Sequence, residues 1–220
     1  MAFGKGDEPP IAGAPRAPPT PTLTRRFAAR APVRSLASMD DPGFTLFDTP
    51  IGTCALVWGT RGLVGVALPE ASAAGTAAQV RRRFRGACER APSNGVQRSI
   101  DRVLALLRGG RDDLLQDIAL DLRGVPEFHA AVYALARRIP PGATRSYGAI
   151  ALELGAPQAA RAVGQALGAN PFPIIVPCHR VLAAGGRAGG FSAPGGTRTK
   201  LRLLEIEGAP LGGTPGLFDT

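Results

Sequence analysis

Histidine, cysteine, tyrosine and tryptophan are all scarce in this chain: two, three, two and one among 220 residues. Each scarcity excludes something. Cys54, Cys88 and Cys178 are odd in number and lack the spacing of a disulfide framework. There is no C-x-x-C pair and no histidine cluster, so no metal site is expected, and no cofactor either. No run of about 18 apolar residues exists, so no membrane span is expected. Unpaired thiols predict a reduced, cytoplasmic protein.

Positive charge is in surplus. Lys and Arg number 26 against 17 acidic residues, a net charge of +9 and a pI near 10.8. Such a balance suits a polyanionic partner, nucleic acid first. Residues 1–40 contribute six positive and three negative side chains, leaving the larger share of the charge on the remainder. Those first 40 residues hold seven prolines and no hydrophobic period. They read as a disordered tail, with a native start at Met39 and an Arg-containing transit peptide as alternatives.

Hydrophobic patterning divides the rest into two domains, 41–123 and 124–220. A β-meander is expected first: a strand from Phe44 through Asp48, a turn at Pro50-Ile51-Gly52, a strand over Cys54–Trp58, a turn at Thr60-Arg61-Gly62 and a strand over Leu63–Leu68. A helix is expected over Ala77–Arg90, its Arg81, Arg82, Arg83 and Arg85 reading more readily as a solvated face than as a DNA contact. A helical stripe follows at Val96, Ile100, Val103, Leu104 and Leu107. Ile118, Leu120 and Leu122 alternate like another strand, and a hinge is placed near Gly124. The second domain reads as mostly helical. Phe128, Val132, Leu135 and Ile139 mark a helix ended by Pro140-Pro141. Ser146 caps a short helix over Tyr147–Leu154. Gly155 breaks it, and a second helix runs over Gln158–Leu167, making a helix-turn-helix. A last helix spans Thr197–Ile206 and ends at Gly208.

The chemistry concentrates at Ile174-Ile175-Val176-Pro177-Cys178-His179-Arg180-Val181. An imidazole beside a thiol can lower its pKa or take its proton. The apolar run reads as a buried strand that delivers the pair at its end. Taken alone, a Cys-His dipeptide is more often a buried core cysteine beside a surface histidine.

The surroundings reverse that preference. Arg161-Ala162-Val163-Gly164, then Asn170-Pro171, then Pro177-Cys178-His179-Arg180-Val181, with Asn170 eight and Arg161 seventeen residues before Cys178, resembles the signature of the O6-alkylguanine-DNA alkyltransferases. The resemblance is strongest from about Pro126 to Gly208. It implies a ribonuclease H-like α/β N-terminal domain of a small sheet plus helices. A mostly helical, winged-helix-like C-terminal domain would follow. It implies irreversible, single-use transfer of an alkyl group from guanine O6, with O4-alkylthymine a further substrate, to Cys178. The partner is duplex DNA, contacted in the minor groove with the damaged nucleotide flipped out, by a monomer.

Residue roles follow by resemblance. His179 activates Cys178 through a bridging water, and Glu207 holds the imidazole, with Glu205 as a nearby competitor. Asn170 braces the turn, and Tyr147 donates toward the base. Arg161 fills the gap left by the flipped nucleotide, on a helix whose Ala160 and Gly164 permit close approach to DNA. On composition alone, that small-sided helix reads first as a helix–helix contact. Val181, Leu167, Phe191 and Ser192 form the alkylguanine pocket. Ala193-Pro194 makes the loop after Ser192 two residues longer than the shorter family form, leaving its shape open. Three rivals remain: an alkyltransferase-like lesion binder, which lacks the cysteine; a cysteine hydrolase, which draws Cys and His from distant segments; and a transcription regulator, which needs polar major-groove readers.

Overall fold

A computed structural model describes residues 42–112 and 115–210. The expectations for residues 1–40 lie outside the described residues. β1 (Gly43–Thr49), β2 (Gly52–Gly59) and β3 (Gly62–Ala67) form the expected meander, with β1–β2 and β2–β3 antiparallel. The sheet order is β3-β2-β1-β4, where β4 is Cys88–Glu89, parallel to β1.

Successive side chains of β2 point to opposite faces. Cys54, Leu56 and Trp58 pack on one side with Ile100, Val103, Leu106 and Leu107 of α2 (Asn94–Leu107). Ala55 and Val57 pack on the other with Ala77, Val80 and Phe84 at and after α1 (Ala73–Arg83). The N-terminal half is therefore α/β, with a helix on each face of its sheet.

Three sequence expectations are corrected here. The helix expected over Ala77–Arg90 starts earlier and ends at Arg83, because Ser72 caps it by accepting from Gly75 N–H at 3.1 Å. Gly86, at φ +82°, then turns the chain into β4. The strand expected over Ile118–Leu122 is one isolated bridge, Leu63 with Leu120; Asp121 then turns its carboxylate onto Arg123 and pairing ends. The buried strand expected before Cys178 is a run of turns. Pro171, Pro173 and Pro177 supply no backbone donor, and Ile174 sits at φ +74°.

The C-terminal half is mostly helical: α3 (Glu127–Arg137), α4 (Tyr147–Glu153), α5 (Ala160–Gly168) and α6 (Thr197–Ile206), with a two-residue parallel pair, β5 (Arg145–Ser146) and β6 (Val181–Leu182). The second helix expected from Gln158 is a 3-10 turn over Pro157–Ala159 running into α5. Its core holds Val132, Tyr133, Ile150, Val163, Phe172 and Val176. The halves are stitched together by Ile174, Ile175 and Leu203, which pack inside the cluster of the N-terminal sheet and α2. The segment leading to Cys178 is thus anchored in the opposite half. No helix among the described residues is long and apolar enough to cross a membrane.

Candidate active site

Ser146 caps α4 as expected, accepting from Ala149 N–H at 3.0 Å. Gly155, at φ +69°, ends the helix. α5 buries Val163, Ala166 and Leu167 against the core. Tyr133 O–H donates to the Ala166 carbonyl at 3.0 Å and fixes α5 on α3. Ala160, Arg161, Gly164 and Gly168 are left facing a cavity.

The turn before Cys178 is tied by Asn170. Its Nδ2 donates to the Val176 carbonyl at 2.9 Å, and its Oδ1 accepts from Phe172 N–H at 2.9 Å. Val176 N–H donates to the Phe172 carbonyl at 2.8 Å. A β-branched residue at positive φ, as at Ile174, costs on the order of 1–3 kcal/mol and persists only where surroundings enforce it. Burial of Ile174 in the N-terminal core and these bonds supply that enforcement. From the other half, Val66 N–H donates to the Pro171 carbonyl at 2.8 Å and Arg83 Nη2 to the Asn170 carbonyl at 3.2 Å.

Cys178 opens a short 3-10 turn that carries His179 and Arg180 inward. Burial pushes the Cys178 thiol up. Hydrogen bonding from the Asn170 side chain, the Lys200 charge and backbone N–H groups pull the other way. At neutral pH the sulfur rests as a thiol and needs a base.

His179 Nε2 lies 2.9 Å from Glu207 Oε1. Arg180 Nε donates to Glu207 Oε2 at 2.8 Å and its Nη2 to Oε1 at 2.7 Å. All three side chains are almost fully buried. Burial works to raise the Glu207 pKa, but the bonds from His179 and Arg180 override it and hold the carboxyl at about 2. Burial also pushes the imidazole down, against the pull of Glu207 and with the Arg180 and Lys200 charges. His179 therefore rests neutral, its Nε2–H donating to Glu207. Its Nδ1 is buried and has no hydrogen-bond partner among the described residues. Lys200 is buried too, donating to the Val181 carbonyl at 2.6 Å, with its Nζ 5.7 Å from the Tyr147 ring centroid. Burial pushes it down to about 8, against the attraction of Cys178.

The cavity has a volume of about 530 Å³ and is lined by Tyr147, Ala160, Arg161, Gly164, Leu167, Gly168, Cys178, Gly190, Phe191 and Ser192. That volume falls within the roughly 300–1,000 Å³ of small-molecule sites. Eight sequence-nominated residues meet there. Asn170, His179 and Glu207 sit behind Cys178 and outside the lining. Val181, nominated for the pocket, is fully buried in the C-terminal core instead; its N–H donates to the Cys178 carbonyl and its own carbonyl accepts from Lys200. Burial, and the charge Cys178 carries once ionised, push the Tyr147 phenol up. The Tyr147 ring lies against α5 at Gly164 and against the loop at Gly189, whose φ is +64°. Ser192 Oγ donates to the Gly168 carbonyl at 2.8 Å and closes the loop over α5. The added Ala193-Pro194 forms a turn, with Gly196 N–H donating to the Ala193 carbonyl at 2.9 Å. Ala193 packs against the N-terminal core, away from the lining.

Two residues escaped the sequence reading. Arg180 stands in the motif without a role of its own; a buried arginine in an apolar run signals a carboxylate partner. Lys200 carries no motif signal. Its spacing to Leu203, Leu204 and Glu207 is the i, i+3, i+4, i+7 stripe of one helix face, so it belonged on the side of α6 that carries Glu207. Among the described residues no cluster of His, Cys, Asp and Glu is arranged to hold a metal ion.

Residues 127–209 match the family described as 6-O-methylguanine DNA methyltransferase, DNA binding domain. The chain is 46% identical over 121 residues to the methylated-DNA–protein-cysteine methyltransferase of Mycobacterium tuberculosis, covering 55% of this chain and 70% of the relative. It is 31% identical over 164 residues to the enzyme of that name from Methanothermobacter thermautotrophicus, covering 74% of this chain and 84% of the relative. The crystal structure of the M. tuberculosis OGT in complex with DNA superposes with a TM-score of 0.60 at 36% identity, over 76% of this chain and 95% of that one. With a relative above 30% identity covered over most of its length, a structural match that spans both halves, and Cys178 at the cavity, the chain belongs to the methylated-DNA–protein-cysteine methyltransferase family.

Proposed function

We propose that this protein repairs DNA by direct reversal, moving an alkyl group from guanine O6 in duplex DNA to the sulfur of Cys178, once per molecule. The observation that carries the reading is the placement of Cys178. Its sulfur opens on a cavity of base-binding size, while a neutral imidazole tied to a buried carboxylate lies behind it.

In this scheme α5 enters the minor groove. Its small residues Ala160 and Gly164 allow close approach, and Arg161 takes the place of the extruded nucleotide. Leu167, Phe191 and Ser192 hold the flipped base, and Val181 supports the floor from within the core. Asn170 holds the thiol-bearing turn and favours the thiolate. His179, through an intervening water, takes the thiol proton, and Glu207 orients the ring. The thiolate attacks the alkyl carbon in line: the S–C bond forms, the C–O6 bond breaks, and the electron pair goes to the guanine. Tyr147 donates a proton to the departing base, and the proton held by His179 then passes through solvent to restore the phenol and leave the ring neutral. The net result is that the thiol proton replaces the alkyl group on guanine. A thioether has no route back to a thiol in this site, so the protein is spent. O4-alkylthymine is the second substrate of this scheme.

The same reading assigns 41–123 to a ribonuclease H-like domain and 124–220 to a winged-helix-like DNA-binding domain. It also makes the protein a monomer working at the nucleoid in the cytoplasm.

The test is transfer of radiolabel from O6-methylguanine duplex to protein. The wild type should plateau at one methyl per molecule, and Cys178→Ala should bind duplex without taking label. The Cys54→Ala/Cys88→Ala double variant should transfer normally, since Cys54 is buried with its pKa pushed up to about 12 and neither residue lines the cavity. Turnover past one equivalent, or transfer by Cys178→Ala, overturns the reading. Binding without transfer by the wild type would mark a lesion binder.

A further inference from the structure

Arg180 has no part in the scheme above, yet it is the largest fully buried side chain among the described residues. Its guanidinium meets Glu207 with two nitrogens, at 2.8 and 2.7 Å, and its third, Nη1, donates to the Ile139 carbonyl at 2.6 Å. Glu207 Oε1 is thus shared between the guanidinium and the His179 ring. From the geometry we infer that Arg180 is a positioning residue for alkyl transfer: by occupying both oxygens of Glu207, it cancels that carboxylate's pull for a proton on the buried ring, so that His179 stays neutral and Nδ1 can accept the proton of Cys178. The inference rests on the proposed alkyl transfer and adds what sets the protonation state of its base.

A lone buried carboxylate beside an imidazole draws a proton onto the ring, because an ion pair is far less costly there than an uncompensated charge. A protonated ring carries N–H on both nitrogens and cannot act as a base. Here the carboxylate is already neutralised by a fixed guanidinium. A proton on His179 would leave a net positive charge in a site that also faces Lys200 from α6. The Cys178 thiol and the Tyr147 phenol, which line the cavity in front of the ring, are both neutral at rest. The imidazolium is therefore formed only as the thiolate appears beside it, which ties proton transfer to the attack. Lysine cannot replace this function, since an ammonium lacks the planar fork that engages both oxygens.

The test reads the histidine directly. The chain has two histidines, so ring NMR signals are assigned with a His129→Gln variant. In the wild type, His179 should stay neutral from mildly alkaline to mildly acid pH. In Arg180→Lys and Arg180→Met its titration should move up. The methyl transfer rate of these variants should then fall about tenfold for each pH unit below the new titration point, while duplex affinity holds. Arg180→Met/Glu207→Gln removes both charges and should return the ring to the neutral state, an outcome that a packing role does not produce. Unchanged His179 titration and parallel pH profiles in a folded Arg180 variant overturn the inference. Should no variant fold, a wild-type His179 found protonated at neutral pH overturns it alone, and one found neutral beside an ionised Glu207 carboxylate supports it. Absence of transfer by the wild type would instead remove the proposed function and leave the titration result standing.

Discussion

Replacing Asn170 probes stability and chemistry at once. In Asn170→Ala the Val176 carbonyl and the Phe172 N–H each lose a partner at 2.9 Å in a buried turn. Leaving a buried group unsatisfied costs about 1–3 kcal/mol, so the two together should cost about 2–6 kcal/mol. That is a large part of the roughly 5–15 kcal/mol that holds a typical domain. The same side chain also hydrogen-bonds Cys178 and favours its thiolate. Its loss leaves burial less opposed, and the thiol pKa should rise. Asn170→Asp sharpens the test. It keeps an acceptor for Phe172 N–H but sets a carboxylate where a donor is needed, and a like charge beside a thiolate raises the thiol further. The assays are urea unfolding and single-turnover methyl transfer as a function of pH. The acid limb of the rate should move to higher pH in Asn170→Ala and further in Asn170→Asp. A stability loss under about 1 kcal/mol in Asn170→Ala, or three superimposable pH profiles, would refute the reasoning.

The parts of this molecule legible in the sequence are those in which local pattern and tertiary demand agree. The meander was readable because alternation and Gly-containing turns specify strands with little outside help, and α2 and α6 because their apolar stripes match the helical period. The site was readable as a set because its residues sit at fixed spacings around Cys178. What escaped depended on partners remote in sequence. The apolar run Ile174–Val176 has the composition of a buried strand. It is instead a strained turn, because Asn170 bonds across it and the other half of the protein buries its isoleucines. Leu120 alternates correctly but finds only one strand edge to pair with. The end of α1 was misplaced because Phe84 and Ala87 continue an apolar pattern while Gly86 turns the backbone. Arg180 and Lys200 could not be assigned without knowing that α6 and the turn after Pro177 face each other. Charge in an apolar stretch was visible; what it pairs with is a fact of topology.

Two further outcomes follow from the site. Arg161 is exposed on the cavity side of α5, so Arg161→Ala should slow repair of duplex at least tenfold while leaving reaction with free O6-benzylguanine within about twofold, an effect on extrusion rather than on the sulfur; equal losses on both substrates contradict this role. Glu207 supplies the pH signature. Its folded pKa of about 2 lies below the ordinary value of 4.5, so the folded state favours the ionised form. A depressed carboxyl contributes stability that is fully present above its unfolded pKa and disappears as pH falls through its folded pKa. The window therefore runs from about 4.5 down to about 2. A shift of that size corresponds to on the order of 3 kcal/mol. Glu207→Gln mimics the protonated acid, and it leaves the Arg180 charge buried without its counter-ion. The stability gap between wild type and Glu207→Gln should be widest near neutrality and should narrow steadily across that window, because acid converts the wild type into the same charge state as the variant. Urea unfolding at a series of acid pH values measures the gap. A gap that stays constant as the pH falls would show that Glu207 contributes through shape alone, and the buried Arg180–Glu207 ion pair would lose its role in holding the two ends of the site together.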